Sequence, residues 1–201
     1  MKNQSYANRG RQFEDFLKLV HAKYQRSGLA CIHKVPTEFL PIRDARGRVA
    51  SCKVEEKSCV DYLGRYRSVP VAVEAKHEQG DRILFSRVED HQAAYLNDFT
   101  RARSAVGIVL VSFGMRRFFA VPWDFWRIAR DAWENRPDQT SRKCAQVNIN
   151  ARGYNWTTPG KASVSADELL PQWEIRQNRP LLLPYLNIID ELWSEVILND
   201  F

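Results

Sequence analysis

The stretch CVDYLGRYRSVPVAVEAKH, Cys59–His77, decides the fold. Both halves alternate with the period of two that belongs to a β-strand. In the second half Val69, Val71, Val73 and Ala75 share one face, while Ala72, Glu74 and Lys76 share the other. No ideal turn dipeptide is present, but Arg67-Ser68 is the natural apex of a hairpin. With that apex, paired positions sum to 135, so Asp61 falls directly opposite Glu74. Opposed residues of an antiparallel pair have Cβ atoms about 5 Å apart. Two acids that close repel one another unless a cation lies between them.

Lys76 follows Glu74 by two residues and therefore lies on the same strand face. Such a trio suits hydrolysis of a phosphodiester, which needs charge neutralised on the phosphate, a water activated and a leaving oxygen stabilised. Divalent metals held by carboxylates do this, and magnesium often takes only one or two of them. The lysine can orient the attacking water or bind the phosphate as its charge grows. An acid-x-lysine triplet alone is common on exposed strands. Here it ends an apolar strand, faces a second acid and precedes a helix with Gln92 on its apolar side. A glutamine among core positions is more often a satisfied core amide than a metal ligand.

Outward from this hairpin, Phe13, Phe16, Leu17, Val20 and Tyr24 form one face of a first helix capped by Asn8 and ended by Gly28. Leu29 to Val35 reads as a short strand stopped by Pro36. Residues 37–58 carry the turn Asp44-Ala45-Arg46-Gly47 between two extended arms, Phe39 to Arg43 and Arg48 to Val54. They suggest a protruding hairpin with little apolar surface. Ser86 to Arg101 reads as a helix opened by a capping box, Ser86-x-x-Glu89. Ala105 to Phe113 reads as a buried central strand. Arg117 to Val121 suggests another strand, Trp123 to Trp133 a helix, and Leu183 to Leu198 a closing helix. Residues 135–165 are polar and irregular. The expected architecture is one α/β domain over residues 1–201.

The chain has 201 residues, a net charge of +6 and a pI near 9.2, a basic balance that favours a polyanionic partner. Between Arg43 and Arg67 lie Arg43, Arg46, Arg48, Lys53, Lys57, Arg65 and Arg67. No apolar run approaches the ~20 residues of a membrane span, and the N-terminus lacks the apolar core of a signal peptide. A cytoplasmic, nucleoid-associated protein is expected. Cys31, Cys52, Cys59 and Cys144 show no C-x-x-C spacing, which argues against a zinc site or a disulfide framework.

The pattern Asp61-x12-Glu74-x-Lys76 on adjacent strands resembles the PD-(D/E)xK nuclease superfamily, and most closely its RecU-type Holliday junction resolvases. The likeness runs through Asn8-Arg9-Gly10, Phe13-Glu14, Gly28-Leu29-Ala30, Ile32-His33-Lys34 and Pro36-Thr37. It continues with Asp61-Tyr62, Gly64, Glu74-Ala75-Lys76, His91-Gln92, Gly160-Lys161, Trp173-Glu174-Ile175 and Tyr185-Leu186. An apparent insertion lies at about 135–158.

The resemblance implies a restriction-endonuclease-like fold, a central mixed sheet flanked by helices, with the hairpin at 37–58 as a stalk entering the junction. It implies that Asp61, Glu74 and Gln92 ligate magnesium, with manganese able to substitute, and that Lys76 stabilises the transition state. Glu14 supports the site from the first helix. Val60 stands where the family usually has threonine, so it can contribute only a backbone carbonyl. Arg9, Arg11, Arg43, Arg46, Arg48 and Lys53 are the expected DNA contacts. The expected assembly is a homodimer on four-way DNA junctions, with a recombinase as a further partner. Another endonuclease of the superfamily, of restriction or phage-recombination type, and a non-catalytic DNA-binding module are the competing readings.

Overall fold

Helix α1 (Tyr6–Arg26) begins two residues before Asn8, so Asn8 lies inside the helix and does not cap it. It stops at Gly28, whose φ of +70° fits glycine; there the Gly28 N–H donates to Gln25 and the Leu29 N–H to Tyr24. The structure is a computed structural model and describes residues 6–101, 104–134, 160–176 and 183–190.

Strand β1 (Ala30–Lys34) is followed by β2 (Glu38–Arg43) and β3 (Val49–Glu56), which pair only with each other. Then come β4 (Tyr62–Tyr66), β5 (Val69–Glu78), β6 (Arg82–Leu84), a 3-10 turn (Phe85–Arg87) and helix α2 (Asp90–Arg101). Strands β7 (Val106–Phe113) and β8 (Arg117–Pro122), helix α3 (Trp123–Glu134) and strand β9 (Ser163–Ser165) complete the main elements. The central sheet runs β1-β4-β5-β7-β8, antiparallel except for the parallel pair β5–β7. A parallel pair needs a crossover, and the segment carrying α2 supplies it. This is the expected α/β class, a mixed sheet flanked by helices.

Helix α1 covers one sheet face, with Phe13 and Phe16 against the ring of Phe118. Helices α2 and α3 cover the other. A Cβ at Gly107 would lie 2.9 Å from the Cβ of Trp123 and 3.0 Å from Thr100, so only glycine lets both helices sit this close. Every residue of β7 is buried, as a two-sided central strand requires. Each such aliphatic side chain contributes about 1.5–3 kcal/mol of transfer free energy.

Three readings change. The Ser86–Glu89 capping box is absent: residues 85–87 form a 3-10 turn that buries Phe85, and α2 starts at Asp90. Its cap comes from the other direction, with Gln92 accepting the Glu89 N–H at 3.0 Å. Residues 163–165 form a strand paired with β6, where an irregular segment was expected. The hairpin β2–β3 stands outside the core as expected, but it is not poor in apolar surface. Phe39, Leu40, Ile42, Val49 and Val54 are all exposed on it. The insertion at about 135–158 and most of the closing helix lie outside the described residues; of that helix, residues 187–190 are helical.

Candidate active site

Strands β4 and β5 pair in the expected register: Tyr62 lies opposite Val73, Leu63 opposite Ala72, and the turn is at Arg67-Ser68. Arg67 has a φ of 52°, a conformation unfavourable for a non-glycine residue by roughly 1–2 kcal/mol. Its guanidinium is held by Asp190 at 2.9 Å and lies over the ring of Tyr66, which fixes the apex.

Asp61 and Glu74 meet one residue beyond the last ladder pair. The Asp61 N–H donates to Glu74 Oε2 at 3.2 Å, and the Ala75 N–H donates to Asp61 Oδ2 at 2.9 Å. Each acid is thus oriented by the strand that carries the other. Glu74 is fully buried. Burial, then the negative charge of Asp61, push its carboxyl up to about 8, against the pull of Lys76. The Lys76 ammonium lies 2.6 Å from Glu74 Oε1 and donates to Gln92 Oε1 at 3.3 Å.

Gln92 is present but oriented as an organiser. Its Nε2 donates to Glu74 Oε1 at 2.7 Å, and its oxygen accepts from Lys76 and from the Glu89 N–H. To offer its oxygen to a cation beside Glu74 the amide must turn over, and that turn gives up its bond to the helix cap. Val60 is fully buried and its side chain has no donor atom. Glu14 reaches the same cleft from α1 and forms an ion pair with Lys34. The cleft measures about 610 Å³, and Glu14, Asp61, Glu74, Lys76, Glu78 and Arg87 all line it. His77 also lines it, with its ring beside Phe13 and its Nδ1 3.1 Å from Ser112 Oγ.

The two acids fit a hard divalent cation. Among the described residues no three His, Cys, Asp or Glu side chains are placed to hold one metal ion together. A seat of two carboxylates suits an ion that keeps several waters, as magnesium does, and does not suit a four-ligand zinc site.

Among the described residues, the expected DNA contacts Arg11, Arg43, Arg46, Arg48 and Lys53 do not line this cleft. Arg11 is exposed on α1, and the Arg9 side chain is outside the described residues. Arg43, Arg46, Arg48 and Lys53 are exposed on the hairpin. Arg43 donates to the Gly47 carbonyl at 2.8 Å, and Arg48 pairs with Asp44 at 3.1 Å. Two charged residues of the cleft were not anticipated. Glu78 continues the Glu74, Lys76 alternation and was legible in principle; Arg87 carries no local signal, because only the fold brings it beside β5.

The family model described as "RecU: Recombination protein U" matches residues 8–164. The chain is 27% identical over 120 residues to the Holliday junction resolvase RecU of Streptococcus pneumoniae (strain Taiwan19F-14), covering 57% of this chain and 60% of that one. It therefore spans less than two thirds of that relative's length. It is 22% identical over 202 aligned positions to the Holliday junction resolvase RecU of Lactobacillus delbrueckii subsp. bulgaricus (strain ATCC BAA-365 / Lb-18), covering 97% of this chain and 85% of that one. Among solved structures, the Archaeoglobus fulgidus Holliday junction resolvase Hjc matches with a TM-score of 0.39 and 13% identity, over 56% of this chain and 78% of that one.

Proposed function

The chain belongs to the RecU family, and from that premise we propose that it is a magnesium-dependent endonuclease that resolves four-way DNA junctions by paired nicks. The observation that carries the reading is the interlocked pair Asp61–Glu74 with the Lys76 ammonium against it. A fully buried carboxylate beside a second acid is costly to maintain, and a cation between them removes that cost.

Asp61 and Glu74 hold the ion, with Gln92 joining when its amide turns. A magnesium ion there, for which manganese substitutes, supplies positive charge to the phosphate and to the attacking water. Lys76, held beside Glu74 and Gln92, would meet the charge growing on the phosphate. In the ion-free site Gln92 holds Lys76 and Glu74 beside one another. Glu14 lines the opposite wall and orients groups at the site; the Val60 carbonyl completes the seat.

The hairpin serves as a stalk at the crossing point, where phosphates are concentrated and Arg43, Arg46, Arg48 and Lys53 meet them. Arg9 and Arg11 add contacts from α1. Paired nicks need two active sites, which a homodimer supplies; a recombinase is a further partner, and the cytoplasmic nucleoid is the site of action. No helix among the described residues is long and apolar enough to cross a membrane.

The test is cleavage of a synthetic four-way junction and of its linear arms, with magnesium, with manganese and with EDTA. Metal-dependent cleavage of the junction in preference to the arms is expected. Sequence-specific cutting of linear DNA instead marks a restriction-type nuclease, and binding without metal-dependent cutting marks a non-catalytic module.

A further inference from the structure

The cleft is lined by Glu14, Asp61, Glu74 and Glu78, with only Lys76 and Arg87 as full-time cations on its wall. Lys76 is spoken for by Glu74 and Gln92. A DNA strand entering such a cleft meets mostly negative charge, so a cation that fixes a phosphate beside the acids is needed.

Arg87 ends the 3-10 turn between two fully buried residues, Phe85 and Val88, which hold its backbone in place. Its Nε lies 2.9 Å from Glu78 Oε1, while the side chain remains 48% exposed. No other ion pair or hydrogen bond engages its terminal amino groups among the described residues. With its ion pair at Nε, the guanidinium keeps both terminal amino groups for another partner, a two-pronged donor whose shape matches a phosphate. Glu78 lies on the same face of β5 as Glu74 and Lys76, and its backbone is fixed by the Gly114 N–H at 2.7 Å. Four residues along an extended strand are about 13 Å. Arg87 therefore sits beyond the acid pair but in the same cleft, at the reach of a phosphate further along the strand.

Resting on the nuclease reading above, we propose that Arg87 binds a phosphate of the strand being cut, further along it than the one hydrolysed, and that Glu78 is its positioning residue. The basic hairpin gives grip at the junction's centre; Arg87 sets which phosphate of the strand lies over Asp61 and Glu74.

The experiment measures binding of a synthetic four-way junction and a linear duplex by fluorescence anisotropy, in EDTA, across a range of salt concentrations. Single-turnover cleavage in magnesium is followed in parallel. Arg87→Gln is expected to raise the Kd for junctions about tenfold, the loss of one charged hydrogen-bonding contact. It should also reduce the slope of log Kd against log salt by about 0.9, the loss of one phosphate contact. Arg87→Lys should restore the slope, because it restores the charge, but not the full affinity, because it is not bidentate. Glu78→Gln leaves the Arg87 guanidinium charge, and so the slope, in place, yet lowers the cleavage rate at saturating enzyme. Unchanged affinity and slope in Arg87→Gln overturns the proposal, as does a slope that Arg87→Lys fails to restore, which marks a structural loss. Asp61→Asn separates this from the wider reading. If that variant stops cutting while Arg87→Gln binds as wild type, only the clamp is wrong; if it cuts normally, the active-site assignment itself is wrong.

Discussion

The two hairpins β2–β3 and β4–β5 follow one another in the chain, each form an antiparallel ladder of their own, and are buried in opposite ways. Every residue of β2 is exposed, and the pair carries five large apolar side chains into solvent. In β4–β5 the tyrosines and valines are buried as expected, but Glu74 is fully buried among them and Lys76 is nearly so. Hydrophobic sorting alone puts apolar residues inside and carboxylates outside. Each hairpin violates that rule in its own direction, and each violation costs stability. Such departures concentrate where a protein uses them. The inner hairpin buries charge, and the outer one exposes apolar surface.

The sharpest way to break the comparison is to remove the inner charges. Asp61→Asn and Glu74→Gln should each reduce junction cleavage by about 10²–10³-fold or more, the scale of one lost electrostatic catalytic group, while binding is kept or tightened. Tightening follows because Asp61, and Glu74 wherever it is ionised, repel phosphate. Single-turnover rates and anisotropy on the same preparations test this, and wild-type cleavage in both variants contradicts it. Lys76→Ala should lower the saturated rate by about 10²-fold with little change in Kd, because one lysine is a small part of a footprint of many phosphates. A variant slow only through weak binding would remove Lys76 from the chemistry.

Changes to the outer hairpin should have smaller effects, on selectivity instead of rate. Replacing residues 40–52 with a short linker should leave the metal-dependent activity on linear DNA intact. The preference for junction over duplex should fall about tenfold, and should weaken as salt rises in the wild type. Competition between labelled junction and unlabelled duplex at two salt concentrations measures it. The segment gives nothing to the core, so its removal should cost little stability. A deletion that folds and still prefers junctions as strongly as wild type would show that the outer hairpin does not set the preference.

How much of this contrast was legible in the sequence differs between the hairpins. The register of β4–β5 followed from the alternation together with the apex at Arg67-Ser68, since a one-residue slip would turn the valine face over. The pairing of Asp61 with Glu74 came with it. The apolar character of β2–β3 was in plain view as Phe39, Leu40 and Ile42, but the arms lack a clean alternation. Opposite pairs such as Phe39 with Val54 and Leu40 with Lys53 put apolar groups on both faces. Gln92 was found on the apolar side of α2, yet its part as the cap of its own helix was not. The position of the first helical residue depends on where Phe85 and Val88 are buried, which is a tertiary fact. Arg87 was missed for the same reason.

The finest test concerns what the inner hairpin costs. Glu74 titrates near 4.5 in the unfolded chain and at about 8 in the folded one. Below 4.5 both states hold the proton, and its contribution to stability is fully present. Between 4.5 and about 8 the unfolded chain loses the proton that the folded chain keeps, so stability falls as pH rises through that window and is flat above it. His21 acts in the opposite sense over the lower half of the range. Burial lowers it to about 4, so its contribution is lost as pH falls from 6.5 toward 4. The raw profile of the wild type therefore mixes both, and a difference is needed to isolate the acid. In EDTA, urea midpoints of wild type and Glu74→Gln should diverge as pH rises from 4.5 to 8, with the variant gaining relative stability. Saturating magnesium should close the gap by stabilising only the wild type, since the ion binds the folded state with Glu74 ionised. Parallel profiles with and without magnesium would mean that the buried carboxylate carries no such cost, and the contrast between the hairpins would then rest on the exposed one alone.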